Sequence, residues 1–157
     1  YEPLYQEIRS MPQTTYHGAV SNQEVKEALK KAHIYAYPST WLETSCISLI
    51  EAMSAGCICV HPNYGALAET AANWTQMYQW QEDPNKHANM MYSMLDSIIP
   101  NVNASSSQAM LMGQKSYTDM FYNWSVREVQ WKNLLHGLVN EPREFPKSSG
   151  DFFTYKT

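Results

Sequence analysis

Two glutamates eight positions apart, Glu43 and Glu51, are the residues of this sequence best placed to do chemistry. They lie in YPSTWLETSCISLIEAMSAGCICVH, on either side of the junction between a predicted strand-exit loop and the first turns of a predicted helix. A helix N-terminus presents unpaired backbone N–H groups and the positive end of the helix dipole, so it attracts phosphate. Carboxylates around such an anion site can accept hydrogen bonds from hydroxyls. This combination suits a nucleotide sugar.

Short apolar or aromatic runs predict the strands that position these glutamates. The runs are TTYHG, HIYAYP, CICVH and TQMYQW. They recur about every 20 residues, with helical patterns between the first three. This alternation predicts βαβ units and an α/β fold with a Rossmann-like parallel sheet and flanking helices. The first run predicts a strand over residues 14–17 and the second a strand over residues 33–37.

Two helices are predicted between these strands. Residues 21–31 begin with Ser21 and Glu24, the pattern of a capping box. The side chains expected to face inward from this helix are Val25, Ala28 and Leu29. Residues 46–55 should form the next helix, ended by Gly56 in a left-handed conformation. The side chains expected to be buried in it are Ile47, Ile50 and Met53.

The second half of the chain is predicted to be helical. Residues 84–99, 108–122 and 126–138 show helical spacing of apolar residues or flanking breakers. An apolar set is expected around the last helix: Trp124, Trp131, Leu134 and Leu138. Residues 1–139 are expected to form one domain. Residues 140–157, which include Pro142, Pro146, Ser148, Ser149 and Gly150, are expected to be a poorly ordered tail.

Composition excludes several classes of protein. The 157 residues carry a net charge of -4 and have no basic stripe, which argues against nucleic acid or an anionic membrane as partner. No apolar run approaches the roughly 20 residues of a membrane-spanning helix, so a soluble, cytoplasmic protein is expected. Cys46, Cys57 and Cys59 are interpreted as reduced, packed thiols, with a redox or metal role as the alternative. No metal or other cofactor is implied.

The order of several motifs resembles that in a known family. Pro38-Ser39, Glu43, Glu51-Ala52-Met53, Gly56 and the strand CICVH occur in the order seen in the donor domain of retaining GT-B glycosyltransferases, the glycogen-synthase and sucrose-synthase-like group 1 family. The stretches YHGAVSNQEVKEALKKAH, YGALAET and YNWSVREVQW are also similar to parts of that domain. The resemblance covers roughly residues 5–138.

The resemblance implies roles for the two glutamates. Glu43 would accept hydrogen bonds from donor-sugar hydroxyls near the reacting carbon and is the candidate catalytic residue. Glu51 would bind the ribose hydroxyls, as an acidic residue does in dinucleotide-binding folds. The alternatives are a solvent-exposed loop carboxylate for Glu43 and an ordinary surface glutamate for Glu51.

The resemblance also implies further substrate contacts. Thr44, Ser45 and Cys46 stand where relatives often have Gly-Phe-Gly beside the phosphates, and this departure puts a close backbone approach in doubt. The Thr44 and Ser45 hydroxyls could compensate, or could cap the helix.

Contacts with the base and the sugar are implied as well. The segment from Gly18 to Val20 would lie by the nucleobase, or would simply link a strand to a helix. Tyr64 and Gly65 would approach the donor sugar or phosphate, whereas Glu69 is more typical of a helix-start charge. His17 could line the same pocket or be a packed strand-end histidine.

Part of the family's fold has no counterpart in this sequence. The first two strands of the donor domain and the acceptor-binding lobe precede the region of resemblance, so the chain is expected to be a truncated, inactive donor-binding portion. The strand at 14–17 should then move beside the one at 33–37, or another copy of the chain should fill the gap in a homo-oligomer. The expected partner is a nucleoside-diphosphate sugar. A non-catalytic nucleotide- or glycan-binding module and a structural oligomerisation domain are the alternatives.

Overall fold

Parallel strands with flanking helices make up residues 1–140, the part of the chain that the computed structural model describes. The chain divides into two compact units, residues 1–118 and residues 119–157, of which the second is described as far as residue 140. The elements run in the order α1 (Glu2–Ser10), α2 (Asn22–Leu29), β1 (Ile34–Ala36), α3 (Ile47–Ala55), β2 (Ile58–Asn63), α4 (Leu67–Ala71), β3 (Gln76–Gln79), α5 (Pro84–Ile98), a 3-10 turn (Ile99–Asn101), α6 (Ser105–Phe121) and α7 (Trp124–Asn140).

The predicted α/β fold with a parallel sheet is confirmed. Within residues 1–140 the sheet has the order β1-β2-β3, with Ile34 opposite Ile58 and Val60 opposite Gln76. The central strand β2 is buried from Ile58 to Pro62, because it has a strand on each side and helices packed against it. Three of the predicted strands are therefore present, and their carboxyl ends share one edge.

The predicted strand over residues 14–17 is wrong, because this segment forms no strand within the described residues. The ring of Tyr16 instead stacks on Tyr5 of α1, with ring centroids 5.1 Å apart, and the Arg9 guanidinium lies 4.7 Å from the Tyr16 ring. A short run can join a sheet only where a neighbouring strand pairs with its backbone. The expectation that this segment would lie beside β1 is thus also wrong, while the filling of the gap by a second copy stays a prediction.

Helix α2 begins with the predicted capping box. The Glu24 backbone N–H donates to Ser21 Oγ at 3.3 Å, and the Ser21 backbone N–H donates to Glu24 Oε2 at 2.9 Å. The Ser21 hydroxyl also donates to Glu24 Oε2 at 2.7 Å, and this hydrogen bond, together with the one from the Ser21 N–H, lowers the pKa of the Glu24 carboxyl. Leu29 is buried and Val25 packs against the core, as expected, but Ala28 is exposed because the inward stripe of this short helix is narrow.

Helix α3 has nearly the predicted bounds, and Met53 is buried as predicted, but the rest of its inward face differs from the prediction. Gly56 ends it with φ 85°, as expected. The core is filled by Leu49, Ala52 and Met53, which are fully buried, whereas Ile47 is 72% exposed and Ile50 is partly buried. Both apolar sets have helical spacing, so the sequence pattern could not choose the side on which the sheet would lie.

Helix α6 fixes the end of α3 through buried polar contacts. The Gln114 side-chain amide donates to the Met53 carbonyl at 3.2 Å and to the Cys57 carbonyl at 2.9 Å. Gly113 lets α6 approach Trp74, because a Cβ at that position would lie 2.5 Å from the indole ring. The C-terminal end of the helix that carries Glu51 is therefore held in place.

The remaining predictions have mixed outcomes. Helix α5 matches the predicted helix, and its Met91 is buried against Val60 and Tyr78. The last two helices are also present, but the apolar set predicted around α7 is exposed: Trp124 by 85%, Trp131 by 60%, Leu134 by 51% and Leu138 by 57%. All three cysteines, which lie in the described part, are free and buried, as predicted. The tail prediction falls, apart from Asn140, outside the described residues.

Candidate functional site

The Glu43 carboxylate lies where strand β1 ends. Tyr37 directly follows β1, and its hydroxyl donates a hydrogen bond of 2.6 Å to Glu43 Oε1. The Tyr37 backbone N–H donates to the Val60 carbonyl at 2.8 Å, which continues the pairing with β2 beyond the end of β1. Glu43 is thus held at the carboxyl-terminal edge of the sheet, which is the usual ligand-binding edge of an open parallel sheet.

The hydrogen bond from Tyr37 has an electrostatic consequence. Because the hydroxyl donates to a carboxylate and is partly removed from water, the pKa of Tyr37 is raised above its ordinary value of 10.0. Tyr37, which like any tyrosine is protonated at neutral pH, therefore remains a donor to Glu43 at higher pH as well.

The backbone of Glu43 is fixed by the loop that follows β2. The Ala66 N–H donates to the Glu43 carbonyl at 2.8 Å. Gly65 has φ 57°, and a Cβ there would lie 2.7 Å from the Glu43 carbonyl oxygen and 2.8 Å from its nitrogen. Only glycine allows both this left-handed conformation and this close approach. The structure therefore brings Gly65 and Glu43 together.

Tyr64 contributes an aromatic pair to the same edge of the sheet. It directly follows β2, and its ring stacks on Trp80, the residue after β3, with centroids 4.4 Å apart and planes 9° from parallel. Both residues are partly buried. Each of the three strands is therefore followed at once by an aromatic residue, and the Glu43 loop contacts the β2 end through Gly65.

The side chains that make polar contacts with the Glu51 carboxylate lie on helix α2. Asn22 Nδ2 donates to Glu51 Oε1 at 3.3 Å, and Lys26 Nζ lies 4.0 Å from the same oxygen. The Glu51 side chain is 25% exposed. It lines a groove of about 460 Å³ whose other residues come from α2, α3 and α6: Gln23, Lys26, Leu29, Lys30, Ser54, Ala55 and Lys115.

The residues before α3 form its N-terminus. Cys46 is the N-cap, with an extended backbone, so Thr44 and Ser45 precede the cap and are exposed. The prediction that Thr44 or Ser45 could cap the helix is therefore wrong. Cys46 is 4% exposed, and its sulfur lies 3.4 Å from Ser48 Oγ. A nine-residue helix that begins here presents its first N–H groups close to Glu43 in sequence.

The predicted nucleobase segment lies before α2. Gly18 has φ 67°, and Val20 is 40% exposed. This segment leads into Ser21, the N-cap of α2, and α2 in turn supplies the two neighbours of Glu51. Exposed Glu69 lies within the short helix α4, so it is placed as a helix-start charge, as the sequence suggests.

His61 supports this edge of the sheet from below. It is fully buried in β2, where Nδ1 lies 2.9 Å from the Pro62 carbonyl and Nε2 lies 2.7 Å from Thr75 Oγ1. Both contacts are satisfied by a neutral ring that donates from Nδ1 and accepts at Nε2. Burial lowers the pKa of His61, because the charged form would be poorly solvated.

The site therefore consists of two groups of residues, and several members were not foreseen. Glu43 joins Gly65 and the unforeseen Tyr37, while Glu51 joins the unforeseen Asn22 and Lys26. A tyrosine at a strand end just before Pro38-Ser39 was the available signal for Tyr37. Asn22 gave no such signal, because it lies 29 positions from Glu51.

Residues 1–140 contain neither a candidate metal site nor a candidate membrane-spanning helix. These residues hold no cluster of three or more His, Cys, Asp or Glu side chains that could bind a metal ion. The helices of the same range also fall short of the length and apolar character that a bilayer crossing requires.

Comparison with known proteins gives one match. Residues 4–97 match the family model for glycosyl transferases group 1. This range contains both glutamates, all three strands and helices α2 to α4. No curated protein and no solved structure matches the chain.

Proposed function

The chain belongs to the group 1 glycosyl transferases, and from that premise we propose that it binds the nucleotide-sugar donor of a retaining enzyme. In this proposal the sugar passes from a nucleoside-diphosphate sugar to an acceptor with its anomeric configuration kept. The observation that carries the proposal is the placement of both motif glutamates: each lies in the matched region, and each keeps carboxylate lone pairs beyond those that its side-chain partners use.

Glu43 is assigned to the donor sugar. Its Oε1 accepts from Tyr37, which leaves the second oxygen and the remaining lone pairs of the carboxylate for other donors. It lies at the edge of the sheet where ligands bind in parallel α/β folds. Gly65 and Tyr64, in the adjoining loop, are assigned to the sugar or its phosphate.

Glu51 is assigned to the ribose hydroxyls. Its side chain is partly exposed on the wall of the groove, and its contacts of 3.3 Å and 4.0 Å are long enough for a ligand to replace. Gly18 and Val20, which precede the helix that contacts Glu51, are assigned to the nucleobase.

The diphosphate is assigned to the start of α3. The first N–H groups of this helix and the positive end of its dipole favour the negative charge that grows on the leaving phosphate. Thr44, Ser45 and Cys46 form the approach to these groups, with exposed hydroxyls on the first two. The reaction needs no more of this chain than binding, orientation and stabilisation of charge.

Calorimetry with nucleoside diphosphates and the matching nucleotide sugars tests the proposal. Titration of the purified protein with UDP, GDP, ADP, UDP-glucose, GDP-mannose and ADP-glucose should reveal binding of at least one pair. Replacement of Glu51 by Gln should weaken binding of the nucleoside diphosphate by about 10- to 100-fold, because a hydrogen bond to a charged group contributes roughly 1.5 to 3 kcal/mol.

Glu43→Gln and a control complete this experiment. Glu43→Gln should weaken only the nucleotide sugar, since the carboxylate is assigned to the sugar. Glu69→Gln removes an exposed carboxylate from the same matched region and should leave both affinities unchanged. Absence of binding to all probes would refute the proposal and favour a structural role. Absence of donor turnover in any longer version of the gene would favour a non-catalytic module, and NMR of the sugar released by an active longer version would test retention.

A further inference from the structure

We propose that Tyr37 is a positioning residue for Glu43, which sets the direction in which the free carboxylate oxygen faces the donor sugar. This inference rests on the proposed function. Tyr37 does not itself touch the sugar in this assignment, so it acts through the carboxylate that does.

The contact between the two residues is short and directional. The Tyr37 hydroxyl lies 2.6 Å from Glu43 Oε1, a distance typical of a hydrogen bond from a neutral hydroxyl to a charged carboxylate. A carboxylate rotates about its terminal torsion with little preference, because sp³–sp² torsions have broad minima. One strong donor on Oε1 therefore fixes the plane in which the second oxygen lies.

Tyr37 is itself held rigidly. Its backbone N–H is bonded to the Val60 carbonyl of the central strand at 2.8 Å. Its ring stacks on Tyr35, with centroids 5.8 Å apart and planes 16° from parallel. The Tyr35 hydroxyl in turn lies 2.8 Å from Ser48 Oγ on helix α3. The hydroxyl that reaches Glu43 is therefore anchored through the backbone N–H and the ring of Tyr37, and neither contact uses the Tyr35 hydroxyl.

The backbone of Glu43 does not depend on this hydroxyl. The Ala66 N–H and the close approach of Gly65 fix the loop through main-chain contacts alone. Loss of the Tyr37 hydroxyl should therefore free the Glu43 side chain without moving its backbone. A side chain that must order itself on binding costs affinity, because its rotamer freedom is lost at that moment.

The Tyr37 hydroxyl, which donates the hydrogen bond to Glu43, is neutral, and this suits the assigned role. An arginine or lysine at this point would neutralise the carboxylate and compete with the sugar for it. A tyrosine hydroxyl orients the carboxylate and leaves its negative charge for a sugar hydroxyl. A tyrosine hydroxyl keeps its proton throughout the neutral range, and the raised pKa of Tyr37 extends this to higher pH.

A double-mutant cycle on donor binding tests the inference. The measured quantity is the ratio of affinity for a nucleotide sugar to affinity for the matching nucleoside diphosphate, with UDP-glucose and UDP or the corresponding GDP or ADP pair as probes. Tyr37→Phe should lower this ratio by about 10-fold and leave nucleoside-diphosphate affinity unchanged. In a Glu43→Ala background, the same substitution should have no further effect.

Tyr35→Phe is the matched control. It also removes one hydroxyl from the same ring stack, but that hydroxyl bonds Ser48 instead of Glu43. It should leave the affinity ratio unchanged. The nucleoside-diphosphate affinity of each variant, measured on the same sample, shows that the binding fold is intact.

The outcomes separate this inference from the proposed function. A ratio that depends on Glu43 but not on Tyr37 would overturn the inference alone. An equal loss from Tyr37→Phe with and without Glu43 would also overturn it, since the effect would then not pass through the carboxylate. Failure of the unsubstituted protein to bind every probe pair would overturn the proposed function and this inference with it.

Discussion

Glu43 and Glu51 belong to one motif but are held in opposite ways. Glu43 has a 2.6 Å hydrogen bond from Tyr37 and a backbone fixed by Gly65 and Ala66. Glu51 has contacts of 3.3 Å and 4.0 Å with side chains of an exposed helix face. The first carboxylate is positioned before a ligand arrives, whereas the second can adjust to one. In the proposed function Glu43 lies by the reacting carbon, where positioning matters most, whereas Glu51 only has to bind ribose.

The largest expected effect comes from disrupting the loop that holds the backbone of Glu43. Gly65→Ala should destabilise the protein by about 3 kcal/mol, because the added Cβ would overlap the Glu43 backbone and the residue has φ 57°. Gly56→Ala is the control, since Gly56 also has positive φ but has open space around its Cβ position. It should cost only about 1 to 2 kcal/mol. Urea unfolding measures both, and equal losses would show that the close approach is unimportant.

A second effect concerns His61 in strand β2, the strand that precedes Gly65, and it depends on pH. Burial lowers the pKa of His61 below its ordinary value of 6.5, so the unfolded chain binds a proton more readily than the folded protein. The stability that this neutral ring contributes is present above about pH 6.5 and is lost as the pH falls towards the lowered folded pKa, by at most about 1.4 kcal/mol per pH unit. Unfolding free energies at pH 7.0 and 5.5 measure the loss.

His61→Gln serves as the reference for this pH effect. The variant should have a lower stability at pH 7.0, since it loses the fitted ring, but a flatter dependence between the two pH values. The same slope in both proteins would assign the acid sensitivity to other groups.

The smallest expected effect concerns helix α2, whose side chains contact Glu51. Ser21→Ala removes the cap of α2, the helix that supplies Asn22 and Lys26 to Glu51, and should cost about 1 kcal/mol of stability. Ser21→Gly should cost only a few tenths of that, because glycine is tolerated at a helix N-cap. Thermal unfolding gives these values. A sugar-dependent loss of affinity in Ser21→Ala would contradict the separate roles of the two glutamates.

The sequence predicted those parts of the fold that depend on local patterns. Strands β1 to β3, the capping box at Ser21 and the left-handed end of α3 at Gly56 all follow from a few neighbouring residues. The segment 14–17 was mispredicted because strand formation requires a partner strand, which no local pattern contains. The face of α3 was mispredicted because both of its sides are apolar.

Sequence motifs marked Glu43, Glu51 and Gly65 as candidate site residues, but not the contacts that hold the two glutamates. The motif marked Glu43 and Glu51, but the residues that hold them are set by how loops and helices come together. Gly65 approaches Glu43 across 22 positions, and Asn22 reaches Glu51 across 29. Such pairs become visible only once the chain is folded.

The buried thiols can report local opening of the folded protein. Cys46 begins α3, Cys57 precedes β2 and Cys59 lies within β2, so each belongs to an element that carries the glutamates or supports them. Burial raises the pKa of the Cys57 and Cys59 thiols, and a thiol reacts as its thiolate. Alkylating reagents can therefore react with these thiols only when the elements open. The labelling rate then measures how often each element opens, without an added probe.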